Sequence, residues 1–205
     1  MKRIILSEGK NDTIFLKELL TKKLTIFKEN EILFFDQNAE ETYKNTKFLE
    51  DKYFDKLDSE WMPFKLLVKS EGGKTKIIGT TISKMVYLCK KGYDPIILID
   101  LDGGKIECFI DKFKEKLIDR FKNNNLTITS NELHKIDDAL MHSMRLSQDN
   151  KLIGTIYITG FYQTLERTTG IDNTLHTDDN KRIISQKYME TSRIHEIFNK
   201  ALSNS

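Results

Sequence analysis

The sequence predicts an α/β protein: a mostly parallel, Rossmann-like sheet flanked by helices. Three observations lead there. Short apolar runs alternate with amphipathic stretches of helical period over the first 125 residues. The runs are short and continuous, as in buried strands. Two of them, "RIILS" and "DPIILID", run into acidic residues, at the strand ends where open α/β sheets hold their ligands.

The elements follow in order. Residues 3–7 read as the first strand. Asn11 or Asp12 can cap a helix that runs to about Leu24, with Leu16, Leu19, Leu20 and Leu24 as its inner stripe. "EILFFD" (31–36) is the second strand, and the polar, aromatic residues 37–62 are expected to be partly helical. "FKLLVKS" (64–70) is the third strand. Ile78, Ile82, Met85, Val86 and Cys89 then mark a helix. "DPIILID" (94–100) is the clearest strand, and Ile106, Phe109, Ile110, Phe113, Leu117 and Phe121 mark the next helix. Beyond residue 125 the expectation is strands at "NLTITS" and "GTIYITGF" with a helix at 130–147 between them. A last helix carries Ile194, Ile197, Phe198 and Ala201.

No Pro/Gly/Ser linker or repeat divides the chain, so residues 1–205 are expected to form one domain. Its core motifs lie in 1–125, and 126–205 is a C-terminal extension of the same unit. Cys89 and Cys108 sit in apolar helical patterns. Two such thiols fit a reducing compartment, and without a CxxC or Cys/His cluster structural zinc is not expected. The apolar run in "MKRIILSEG" is too short for a signal peptide or a membrane span. The expectation is a cytoplasmic protein with no membrane partner.

The chemistry rests on carboxylates. Glu8 ends the first strand, and Asp100 and Asp102 end the fourth. In an extended chain residues i and i+2 share a face, so Asp100 and Asp102 could reach one point. Glu8 faces the same point if the two strands are neighbours. Asp12 falls on the inward stripe of the first helix. Such a cluster is stable mainly when a cation neutralises it, and oxygen-only donors suit Mg²⁺ or Mn²⁺. Taken singly, each acid has a plainer explanation as a loop residue, an N-cap or a turn former. Their occurrence at equivalent ends of two buried strands favours a shared site.

"IILSEGKNDTIFL" followed by "IILIDLDGG" resembles the Toprim domain, found in topoisomerases, bacterial primases, OLD-family nucleases and small recombination and RNA-maturation proteins. Glu8-Gly9 is similar to its Glu-Gly after the first strand, and Asp100-x-Asp102 to its later Asp-x-Asp. Asp12, four residues after Glu8, is similar to the nuclease-like branch. The resemblance covers roughly residues 1–105. It implies a Mg²⁺-dependent nuclease with Glu8, Asp100 and Asp102 as catalytic residues, and with Glu8, Asp12, Asp100 and Asp102 as metal ligands. In Toprim-like nucleases a further acid often follows in a Leu-Glu context, which makes Glu166 of "FYQTLERTTGI" a fifth candidate ligand. A surface helix acid explains Glu166 as well. The resemblance also leaves room for an ATPase partner protein, and a homo-oligomer stays open.

The net charge of +2 hides a local asymmetry. Residues 61–92 hold seven lysines and one acid, whereas residues 36–60 hold eight acids and four lysines. In "SEGGKTK", Gly72 and Gly73 let backbone N–H groups approach a phosphate at the start of a helix. Gly72, Gly73, Lys74 and Lys76, with Lys10, are therefore candidate phosphate contacts for a nucleic acid, DNA in preference to RNA. A plain turn with solvated lysines weighs equally at this point. "GGKT" is not a P-loop, because Val68 stands where the motif requires its first Gly.

Two rivals remain. A non-catalytic Toprim-like module would use the same cluster to hold metal and nucleic acid. A haloacid-dehalogenase-type phosphatase would use "DLDGG" as its nucleophile motif, although Gly104 replaces the usual Thr and Glu8 and Asp12 are left without a role. The dispersed histidines offer no Ser/His or Cys/His site.

Overall fold

The computed structural model describes residues 2–24, 26–35, 64–122, 125–172 and 174–203. Its strands are β1 (Lys2–Ser7), β2 (Ile32–Phe35), β3 (Leu66–Ser70), β4 (Tyr93–Asp100), β5 (Leu126–Lys135), β6 (Ala139–Gln148) and β7 (Lys151–Phe161). They form one seven-stranded sheet in the order β2-β3-β1-β4-β7-β6-β5. The first five in that order run parallel, and β6 and β5 are antiparallel. The helices are α1 (Lys10–Glu18), α2 (Lys74–Lys90), α3 (Ile106–Arg120), α4 (Leu165–Thr169), α5 (Asp178–Thr191) and α6 (Ile194–Ser203). A π-helical turn, Leu19–Lys23, continues α1. This is the α/β, Rossmann-like architecture that the alternation of apolar runs and helical stripes predicts. The segment 37–62 lies outside the described residues.

Helices cover both faces, which is why the central strands are apolar on both sides. Ile5, Val68 and Leu98 point to one face and pack with Phe15 and Leu16 of α1, Met189 of α5 and Phe198 of α6. Ile97 and Ile99 point to the other and pack with Ile77 and Val86 of α2 and Ile110 and Phe113 of α3. Burying each of these large side chains contributes about 1.5–3 kcal/mol.

The route of the chain creates the site. β1 and β4 are adjacent and parallel, with Leu6 opposite Ile97. The helix after β1 packs on one face and the helix after β4 on the other. The two connections leave in opposite directions and open a crevice between the strand ends. Such a switch point is where doubly wound sheets bind ligands.

The helix expected at 130–147 is not formed. Those residues belong to a hairpin, β5 and β6, whose register runs from Leu126 opposite Gln148 to Lys135 opposite Leu140. The Leu- and Met-rich sequence favours a helix locally, and Leu140 and Met144 are spaced for one. They are equally spaced for a strand. Leu140, Met144 and Leu146 are buried at period two against α3, while Met141 faces the opposite layer. Pairing with β7 supplies what local preference does not.

No helix among the described residues is long and apolar enough to cross a membrane.

Candidate active site

Glu8 follows the last residue of β1 and sits in the crevice, half-buried. Its Oε1 accepts a 2.8 Å hydrogen bond from the backbone N–H of Asp100. The two acids that the sequence places at separate strand ends are therefore joined directly. Asp100 is in turn held by α4, since its Oδ1 accepts from the N–H of Leu165 at 3.0 Å.

Asp12 lies beneath the β1–α1 turn. Gly9 is the N-cap of α1, so the cap is neither Asn11 nor Asp12. Asp12 instead reaches back from the first turn, and its Oδ2 accepts from the N–H groups of Glu8 and Gly9, both at 2.8 Å. This is the reaching-back half of a capping box. It fixes the backbone from which the Glu8 side chain departs.

Asp102 arrives differently from the expected strand alternation. β4 stops at Asp100, and Asp102 takes a left-handed conformation, φ +50°, in the turn that follows. Its side chain is 62% exposed and meets Lys74 Nζ at 3.3 Å. Close packing holds this turn. A Cβ on Gly160 of β7 would lie 2.8 Å from the Leu101 side chain, so only glycine lets Leu101 seat there.

The β3–α2 loop closes another side. Gly72 and Gly73 have φ of +74° and +123°, which suit glycine. Gly73 N–H donates to the Glu8 carbonyl at 2.7 Å. Lys74, the first residue of α2, therefore starts beside Glu8 and reaches the Asp100 carbonyl and the Asp102 carboxylate. Lys76 is exposed, with its ammonium 3.7 Å from where a Cβ on Gly72 would be. Lys10 turns elsewhere, pairing with Asp178 of α5 at 2.8 Å on the surface.

Glu166, in the first turn of α4, accepts a 2.8 Å hydrogen bond at Oε1 from Asn11 Nδ2. The sequence marks Asn11 only as a candidate helix cap. It is buried, and it ties the start of α1 to α4. Its position next to Asp12 is the one available hint. Beyond Glu166 the surface opens into a depression of about 570 Å³ that also includes Thr164, Arg167, Gly170, Ile171 and Asp172.

The electrostatics are unbalanced. Burial pushes Asp12 up to about 7, despite its hydrogen bond from Gly9, and Asp100, Glu166 and Glu8 add to the rise. Asp100 is also pushed up to about 7, by burial first and then by the charge of Glu8. Burial raises Glu8 too, while the Asp100 N–H and Lys74 pull it back. Near neutral pH the crevice thus favours added positive charge, a proton or a cation. Strongly perturbed groups in a cleft mark candidate functional sites. The donors are carboxylates, which match a hard divalent cation in type and charge. Among the described residues no three ligating side chains are already gathered round one point. Three oxygens in the cluster, Glu8 Oε1, Asp12 Oδ2 and Asp100 Oδ1, are engaged by backbone N–H groups.

Fold and site together define an α/β protein with a carboxylate crevice at the switch point of a Rossmann-like sheet. Comparison with family models, curated proteins and solved structures yields no match.

Proposed function

We propose that this chain is a Toprim-like nuclease that cleaves nucleic-acid phosphodiester bonds with Mg²⁺ or Mn²⁺. The observation that carries this reading is the direct link between Glu8 and Asp100 at the switch point. It adds to the Glu-Gly and Asp-x-Asp resemblance. Glu8, Asp100 and Asp102 would hold the cation, with Glu166 reaching from α4. When bound, the cation would activate water and stabilise charge on the phosphoryl group.

The chain's own residues do the rest. The Asp100 N–H orients the Glu8 carboxyl, and burial raises the pKa of that group above the ordinary carboxylate value. Asp12 fixes the turn that carries Glu8, so its part is positioning as much as ligation. Asn11 orients Glu166. Lys74 and Lys76 and the Gly72-Gly73 turn would neutralise backbone phosphates, which makes binding depend on salt.

A second reading is a non-catalytic module that holds metal and nucleic acid. The Glu8–Asp100 link and the Lys74 pair serve it without any proton transfer. Incubating labelled single- and double-stranded DNA and RNA with Mg²⁺ or Mn²⁺ separates the two. The nuclease reading expects cleavage by the wild type and loss of cleavage in Glu8→Ala and Asp100→Ala. Metal-dependent binding without cleavage supports the module. Equal cleavage by all three proteins removes the site. Hydrolysis of a phosphomonoester that survives Glu8→Ala indicates the phosphatase.

A further inference from the structure

Lys74 combines two properties that a simple phosphate-binding lysine does not need. Its backbone is fixed: it opens α2 directly after Gly73, whose N–H is bonded to the Glu8 carbonyl at 2.7 Å. Its ammonium lies on the acids, bonded to the Asp100 carbonyl and 3.3 Å from Asp102 Oδ2. The same charge acts on Glu8. The lysine thus sets positive charge against two of the acids assigned to the cation, Asp102 and Glu8. Its side chain is one-third exposed and that of Asp102 nearly two-thirds. Both can move without disturbing the buried layers. An exposed ion pair of this kind is weak, so its partners can exchange.

We propose that Lys74 is the resting counter-ion of the crevice and changes partner during the working cycle. A divalent cation displaces its ammonium from Asp102, and the freed ammonium takes up a phosphate oxygen of the nucleic acid. This rests on the cation reading given above. A divalent cation and an ammonium on Asp102 repel each other, and the divalent charge is the stronger partner for the carboxylate. The stem of Lys74 is anchored on the crevice wall, so the displaced ammonium stays within reach of a phosphate bound there. The exchange would couple the two binding events. Metal binding prepares a phosphate contact, and an incoming phosphate draws the lysine off the metal site. By linkage, each ligand strengthens the other.

The test is a calorimetric titration of Mn²⁺ into wild type, Lys74→Met and Asp100→Asn, followed by DNA titrations with and without Mn²⁺. Lys74→Met is expected to bind Mn²⁺ about tenfold more tightly than the wild type, because a competing charge has been removed. The same variant should lose most of the gain in DNA affinity that Mn²⁺ gives the wild type. Asp100→Asn should bind Mn²⁺ weakly. Equal Mn²⁺ affinity in wild type and Lys74→Met overturns the exchange and leaves the cation reading standing. Mn²⁺ binding that is absent from both, or unchanged in Asp100→Asn, overturns the cation reading and the exchange with it. Circular dichroism of each variant confirms that it is folded.

Discussion

At the amino end of the sheet Arg3 is fully buried, and its charge is matched. Its Nη1 lies 2.5 Å from Asp94 Oδ2, and its Nε donates to the Ala201 carbonyl of α6 at 3.0 Å. The guanidinium stands 5.2 Å from the Tyr157 ring centre. Asp94 Oδ1 accepts the Thr155 N–H at 3.0 Å. This network ties the first strand to the last helix. The carboxyl end of the same two strands holds Glu8, Asp12, Asp100 and Asp102, with the Lys74 ammonium on the Asp100 carbonyl and the Asp102 carboxylate. Buried charge at one end is balanced, and at the other it is in surplus. A matched buried pair serves the fold. Burial, with the surplus charge added to it, raises three carboxyl groups and burdens the fold, which is the pattern expected of a functional site.

The contrast can be broken first by removing the acids. Glu8→Ala and Asp100→Ala should each lower cleavage by about 10²–10⁴-fold, the range for loss of a positioned acid or base. Their circular dichroism should stay that of the wild type. At the other end, Arg3→Ala strands Asp94 and leaves a hole beside Tyr157. It should cost about 3–5 kcal/mol in urea denaturation, the range for breaking a buried pair. Cleavage by the protein that remains folded should be unchanged.

Asp12 sharpens the comparison through pH. Its carboxyl group is raised in the folded protein to about 7 from an ordinary value of 3.8. The folded state therefore holds a proton that the unfolded chain has given up between those values. That contribution is fully present below 3.8 and is lost as pH rises through 7. Denaturation in EDTA should show the wild type losing stability, of order 2–4 kcal/mol, between pH 4 and pH 8. Asp12→Asn keeps an acceptor for the turn and should remove the Asp12 share of that dependence, leaving the share of Asp100 and Glu8. The smallest effect is expected of Asn11→Ala. Loss of one hydrogen bond to a carboxylate, about 1.5–3 kcal/mol, should slow cleavage by roughly tenfold or more without altering Mn²⁺ stoichiometry.

The strands that carry the site were legible because they are short, continuous apolar runs. Glu8 and Asp100 stood out because each ends such a run. Their adjacency was not legible, since pairing Leu6 with Ile97 depends on strand order, which no local pattern encodes. The same limit hid Asn11, whose partner Glu166 is 155 positions away. Asp102 was placed on a continuing strand, whereas the chain turns there with φ +50°. At 130–147 the apolar spacing fitted both periods, and the pairing with β7 decided for the strand.

The central claim is that the surplus negative charge of the crevice is held for a cation. Melting curves of wild type and Asp100→Asn at pH 8, each in EDTA and in excess Mg²⁺, test it most directly. In EDTA the variant should melt higher than the wild type, because one buried charge is gone. Mg²⁺ should raise the wild type by several degrees and leave the variant almost unmoved, since only a bound cation stabilises the folded state. Equal shifts in both proteins, or a wild type that melts higher in EDTA, would contradict the account.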